Sequence, residues 1–211
     1  MEFAAPTRLL LARHAEVEVR YHKIFGGRID MNLSPRGHEQ AVLLAKFLRS
    51  RALDAIYASP MKRVQQTLAP FLQNGAPAQT IIPDLREVDF GDWTGLNWQQ
   101  VCQKFQLLTH EWLEHIERGM APNGENGPQF RARIEPAVRN IIKKHSGQMV
   151  GIVCHGGVIR MILSILLEMP LPRTNIFEIE YAGVTQIALY PGHAEIELLN
   201  FTPWRDAPDF K

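Results

Sequence analysis

Cysteine is scarce in this chain of 211 residues: there are two, Cys102 and Cys154. They lie far apart and form no CxxC or disulfide-scaffold spacing, which excludes a secreted disulfide framework and makes a reducing cytoplasm the expected location. Charge of one sign is lacking too. The 23 basic and 22 acidic side chains are interspersed and leave a formal net charge of +1, so no broad cationic face for nucleic acid or anionic lipid is expected. Any anion bound should be small. Long hydrophobic runs are also missing. The amino-terminal "MEFAAPTRLLLARH" has too short an apolar segment for a secretory signal and carries no basic leader, and "VIRMILSILLEM" contains Arg160 and falls short of a membrane span. No membrane partner is expected. The length suits one domain with a single core, and no internal repeat or low-complexity tract divides it.

What is present reads as alternating strands and helices. "LLLAR" is a short buried strand; "NLSPRGHEQAVLLAKFLRSR" is an amphipathic helix opening with Ser34 as cap and Pro35 in its first turn. "DAIYAS" predicts a second strand and "SPMKRVQQTLAPFLQ" a second helix capped by Ser59 and started by Pro60. Strand, helix, strand, helix implies a parallel sheet. After a short strand at "QTIIP", the residues Trp98, Val101, Phe105, Leu108, Trp112 and Ile116 recur at helical spacing, which predicts one long helix ended by "MAPNGENG". A further helix carries Phe130, Ile134, Val138 and Ile141, followed by the strand "MVGIVC" running into a helix. The expected fold is α/β, a three-layer sandwich with a mostly parallel central sheet and a helical cap inserted at about residues 93–127. Three short strands, "NIFEIEYAG", "VTQIALYPG" and "HAEIELLNF", are expected in the tail.

Two strand ends carry reactive side chains. Arg13 and His14 end the first strand, and His155 ends "MVGIVC" just before a glycine pair and a helix. Open parallel sheets bind ligands beyond the carboxyl ends of their strands, so if these two strands are neighbours the histidines meet there. Arg63 falls near the start of its helix, close to another strand end. Two guanidiniums and helix-end amides form a fork that fits phosphoryl oxygens, which arginine does better than lysine because its donors are fixed in a plane. Each residue alone has a structural explanation; their coincidence favours an anion site.

These stretches resemble the histidine phosphatase superfamily, which includes the cofactor-dependent phosphoglycerate mutases. "LLLARHAE", "GGRIDMNLSPRGHEQA", "YASPMKRVQQT", "LREVDFGDWTG" and "VCHGGVIR" stand in the family's order over most of the chain. The resemblance implies a phosphoryl-binding core of Arg13, His14, Arg63 and His155, with His14 as nucleophile and Glu87 as proton donor. It also implies that Gly26 and Gly27 lie in a loop approaching the pocket. Chemically the roles are sensible. A neutral imidazole can attack phosphorus, nearby cations favour that neutral form, a protonated His155 would add charge-assisted bonds to phosphoryl oxygens, and Glu87 can protonate the leaving oxygen and then activate water.

Three positions depart from the family pattern. Ala15 replaces a glycine and is expected to narrow the backbone's approach to substrate, Val17 replaces a threonine hydroxyl, and Arg20 replaces asparagine and suggests an extra contact for an acidic group of the substrate. Family mutases generally carry a longer insertion and an extended tail that shelters the phosphoenzyme. The modest insertion and short tail here favour hydrolysis of a small phosphomonoester, its size limited by the cap and by Trp93, Trp98 and Trp112. Mutase-type transfer and a catalytically weak phosphoryl-binding module are the alternatives. No metal or other cofactor is expected, because the arginines supply the positive charge and activity should survive a chelator. "HEWLEH" places His110 and His115 about 140° apart around a helix, the wrong spacing for zinc. "CHGGVIR" also fits a Cys-x5-Arg phosphate loop built on Cys154 and Arg160, but that leaves Arg13, His14 and Arg63 unexplained. The oligomeric state is left open, with a homodimer among the options.

Overall fold

Leu9 to Ala12 are wholly buried because strand β1 (Thr7–Arg13) lies inside a sheet covered on both faces. Leu9 and Leu11 enter one hydrophobic cluster, Leu10 and Ala12 the other. A computed structural model describes residues 5–73, 76–107 and 111–207. Beside β1 the sheet contains β2 (Ala55–Ala58), β3 (Gln79–Ile81), β4 (Met149–Cys154), β5 (Val184–Tyr190) and β6 (His193–Phe201), in the order β3-β2-β4-β1-β5-β6. The four strands from β3 to β1 are parallel; β5 and β6 add antiparallel to the β1 side.

Helices α1 (Pro35–Arg49) and α2 (Lys62–Leu72) cover one face, and α5 (Gly127–Lys144) and α6 (Gly156–Leu166) the other, giving the expected three layers. Ser34 caps α1 by accepting a 2.9 Å bond from the Gly37 amide, an interaction worth about 1 kcal/mol. Two short helices, α3 (Trp98–Phe105) and α4 (Trp112–Glu117), follow β3 in the chain and meet through Trp98 and His115, and α7 (Pro203–Asp206) packs on α1. Among the described residues no helix is long and apolar enough to cross a membrane.

Three local expectations are corrected. The second helix starts at Lys62 with Met61 at its cap position, because the Ser59 hydroxyl is engaged 2.8 Å from His155 Nε2. The single long helix is two: Gln106 turns left-handed at φ 56° and closes α3, so the aromatic stripe continues on a second axis. Leu108 and His110 lie outside the described residues. In the tail, "NIFEIEYAG" is no strand. Both neighbours of β1 are already in place, and this segment crosses the sheet end, where its Ile179 carbonyl accepts from Arg13 at 2.7 Å.

Candidate active site

In the parallel register of β1 and β4, Arg13 stands opposite Cys154. The next residue on each strand is therefore a histidine, and the two rings meet with centroids 5.3 Å apart at 61°. Both side chains are buried, His14 at 5 % exposure and His155 at 0 %. His14 Nδ1 lies 2.8 Å from the Ala15 carbonyl oxygen, which can only accept, so the proton sits on Nδ1 and the lone pair on Nε2. Arg63 Nε–H donates to that Nε2 at 3.1 Å and to His155 Nδ1 at 3.2 Å. His155 consequently carries its proton on Nε2, where it donates to the Ser59 hydroxyl.

Burial is the largest cause holding the His14 imidazole well below the ordinary histidine range, followed by the positive charges of Arg63 and Arg13. Burial, Arg63, His14 and Arg13 act on His155 in the same direction. These surroundings disfavour the protonated form in which His155 would add charge-assisted bonds. A bound phosphoryl dianion reverses part of that balance by adding the opposite charge. The sign for stability follows. Both histidines bind fewer protons folded than unfolded, so stability is lost as pH falls below about 6.5, by up to roughly 1.4 kcal/mol per pH unit for each ring. Urea denaturation at descending pH checks this, and the dependence should flatten in a His14→Ala/His155→Ala double variant.

Arg63 is held from several sides. It is 2 % exposed, its terminal nitrogens donate to the Gly27 and Ile29 carbonyls at 2.8 and 2.9 Å, and burial lowers its pKa to about 10. Gly27 turns at φ +46°, where an added side chain would be strained, and this turn aims its carbonyl at the guanidinium. Arg13 stacks over Tyr181 at 4.0 Å, and among the described residues its buried Nε has no hydrogen-bond partner. Glu87 accepts from its neighbour Val88 at 3.0 Å and from the Gly157 amide at 3.2 Å. A Cβ on Gly157 would fall 2.5 Å from the carboxylate, so the glycine is what admits it.

A cavity of about 260 Å³ opens over these groups. His14, Arg13, Arg63, Glu87, Gly26 and Gly27 all line it. Arg20 does not: its guanidinium pairs with Glu18 at 2.9 Å on the surface, which corrects the expected substrate contact. Ala15 is corrected as well. Its methyl is buried in the cluster facing α1 and α2, and its amide donates to Thr67 at 2.9 Å, so it does not narrow the cavity. Val17 lines the pocket as an apolar surface. Of the tryptophans, Trp112 reaches the cavity while Trp93 is wholly buried behind it.

Cys154 points into the core, where burial pushes its thiol pKa up. A thiolate nucleophile there is disfavoured, and Cys154→Ala should retain the kcat/KM of the parent in a phosphate-release assay. His115 sits away from the cavity, its ring stacked on Trp98 at 5.9 Å.

Two residues escaped sequence reasoning. Ser59 accepts from His155 Nε2 and so holds the ring in the tautomer that Arg63 sets, a role that its position before a proline does not announce. Arg133, on α5, donates to the carbonyls of Asp84, Arg86 and Glu87 and forms a two-point ion pair with Glu125 at 2.7 and 2.8 Å. It grips the backbone that presents the Glu87 carboxylate. Nothing in the sequence around this helical arginine announces such a role. Arg133→Gln should lower kcat about 10- to 100-fold through misplacement of Glu87. Substrates with poor leaving groups should suffer more than aryl phosphates, a split that general destabilisation does not produce.

Known proteins share this arrangement of sequence and fold. Phosphoserine phosphatase 1 of Hydrogenobacter thermophilus is 30% identical over 197 residues, covering 92% of both chains. The adenosylcobalamin/alpha-ribazole phosphatase of Salmonella typhimurium is 28% identical over 193 residues, 92% of this chain and 96% of that one. The crystal structure of the alpha-ribazole phosphatase from Shigella flexneri superposes with a TM-score of 0.80 at 27% identity, covering 92% of this chain and 96% of the other. Residues 9–202 match the histidine phosphatase superfamily (branch 1), a span that includes every residue of the pocket just described, and the chain belongs to that family.

Proposed function

We propose that the protein hydrolyses small phosphomonoesters through a phosphohistidine on His14. The observation that carries this reading is the tautomer. With Nδ1–H tied to Ala15, the lone pair of Nε2 is exposed at the point where Arg63 delivers an N–H, so a phosphoryl group that takes over that hydrogen bond brings phosphorus to the nucleophile. Arg13 Nε and Arg63 draw charge from the phosphoryl oxygens. As the N–P bond forms and the ester P–O bond breaks, the Glu87 carboxyl passes its proton to the departing alkoxide. The resulting carboxylate then takes a proton from water, whose oxygen attacks phosphorus and releases His14. The names of the relatives, phosphatases of phosphoserine and of alpha-ribazole, support hydrolysis of small esters. Rapid-quench mass spectrometry during turnover of 4-nitrophenyl phosphate should find the phosphoryl group on the peptide containing His14. A phosphorylated peptide elsewhere, or none during sustained turnover, overturns the proposal.

A further inference from the structure

The charges that line the cavity set a limit on its substrate. They are three guanidiniums, Arg13, Arg63 and Arg160, and one carboxylate, Glu87. Both imidazoles accept or donate as neutral rings, as their contacts with Arg63, Ala15 and Ser59 require. With Glu87 ionised the lining carries a net charge of about +2, and with the proton that the reaction needs on Glu87 about +3, so a phosphoryl dianion offsets most of it. Arg13 and Arg63 serve the phosphoryl end, and Arg160 already donates to the Thr174 carbonyl. The arginines next outward are already engaged: Arg20 with Glu18 at 2.9 Å, and Arg28 with Asp89 and Glu125 at 3.5 Å each.

Above the floor the wall is aromatic. Phe25 lies 4.9 Å from Phe90 and 6.3 Å from Trp112, and Phe90 lies 5.7 Å from Trp112, centroid to centroid. All three line the cavity. The fully buried Trp93 ring backs Phe25 at 5.3 Å, so the wall is fixed before a ligand arrives. A carboxylate leaving these rings unpaired would be desolvated without compensation, whereas a ring placed there gains apolar contact and aromatic packing.

We propose that the alcohol released from this pocket is uncharged and carries an aromatic ring, so that the substrates are phosphomonoesters of aromatic-bearing alcohols and not of acids. The inference rests on the hydrolase reading for the word substrate but concerns the pocket's preference, which binding reports without turnover. Dissociation constants of 2-phenylethylphosphonate, butylphosphonate and 3-phosphonopropionate, measured by tryptophan fluorescence or calorimetry, test it. The phenyl compound should bind about tenfold more tightly than the butyl compound, the gain expected for burying a ring on an aromatic wall. The carboxylate compound should bind about tenfold more weakly than butyl. A factor under about threefold in either comparison, or a reversed order, overturns the inference. The matching phosphate esters, all releasing primary alcohols, are then assayed for turnover. Failure of turnover with the predicted affinity order sinks the hydrolase reading alone, and turnover with the reversed affinity order sinks this inference alone.

Discussion

Replacement of His14 by alanine is expected to lower kcat/KM for an aryl phosphate by roughly 10⁴-fold or more, the scale on which covalent nucleophiles are lost. The expectation comes from how much of the pocket converges on one ring nitrogen. Nε2 of His14 is the atom to which Arg63 donates and, with the proton on Nδ1, it carries the one basic lone pair of a ring that lines the cavity. The variant also removes a buried neutral ring, so folding must be checked by circular dichroism; binding of a phosphonate should persist because Arg13 and Arg63 remain. Retained binding with lost turnover separates a missing nucleophile from a collapsed site. Equal rates in parent and variant would instead favour a phosphoryl-binding module that does no chemistry through His14.

The strand and helix order was legible because periodicity and capping act locally. Ser34 with Pro35, the four wholly buried residues of β1 and the glycine pair after His155 each imposed a local geometry that the tertiary structure kept. The failures have a common cause in long-range competition. Ser59 has the chemistry of a helix cap, but His155 lies 96 positions away in sequence and claims its hydroxyl. The "NIFEIEYAG" segment has strand-forming residues, but it pairs with neither edge of the sheet, and Arg13 takes its Ile179 carbonyl. The aromatic stripe from Trp98 to Ile116 read as one helix because buried faces on two successive helices keep the same spacing when a left-handed residue joins them. Within the site, the meeting of His14 and His155 was legible because each follows the end of one of two neighbouring parallel strands. Arg20 was misread because position along the loop does not say which way a long side chain turns, and the adjacent Glu18 decided it.

The second large effect is expected for Arg63→Met, a loss of about 10²- to 10³-fold in kcat/KM, the range found when one preorganised donor to a developing charge is removed. More than a donor goes. The Gly27 and Ile29 carbonyls lose their partner, both histidine rings lose the N–H that orients them, and the pocket loses one of its guanidiniums. The direction of the pH profile then identifies the cause. Arg63 depresses the affinity of both rings for protons, so without it both histidines hold their protons to higher pH. Since the attacking ring must be neutral, the acid limb of log kcat/KM should shift upward in pH in the variant. Arg63→Lys restores the charge but not the planar set of donors. It should therefore bring the acid limb back toward its parental position while recovering little of the rate, which assigns the pH shift to charge and the rate loss to geometry. If the lysine variant recovers nearly full activity, the fixed fork of donors is not what Arg63 contributes.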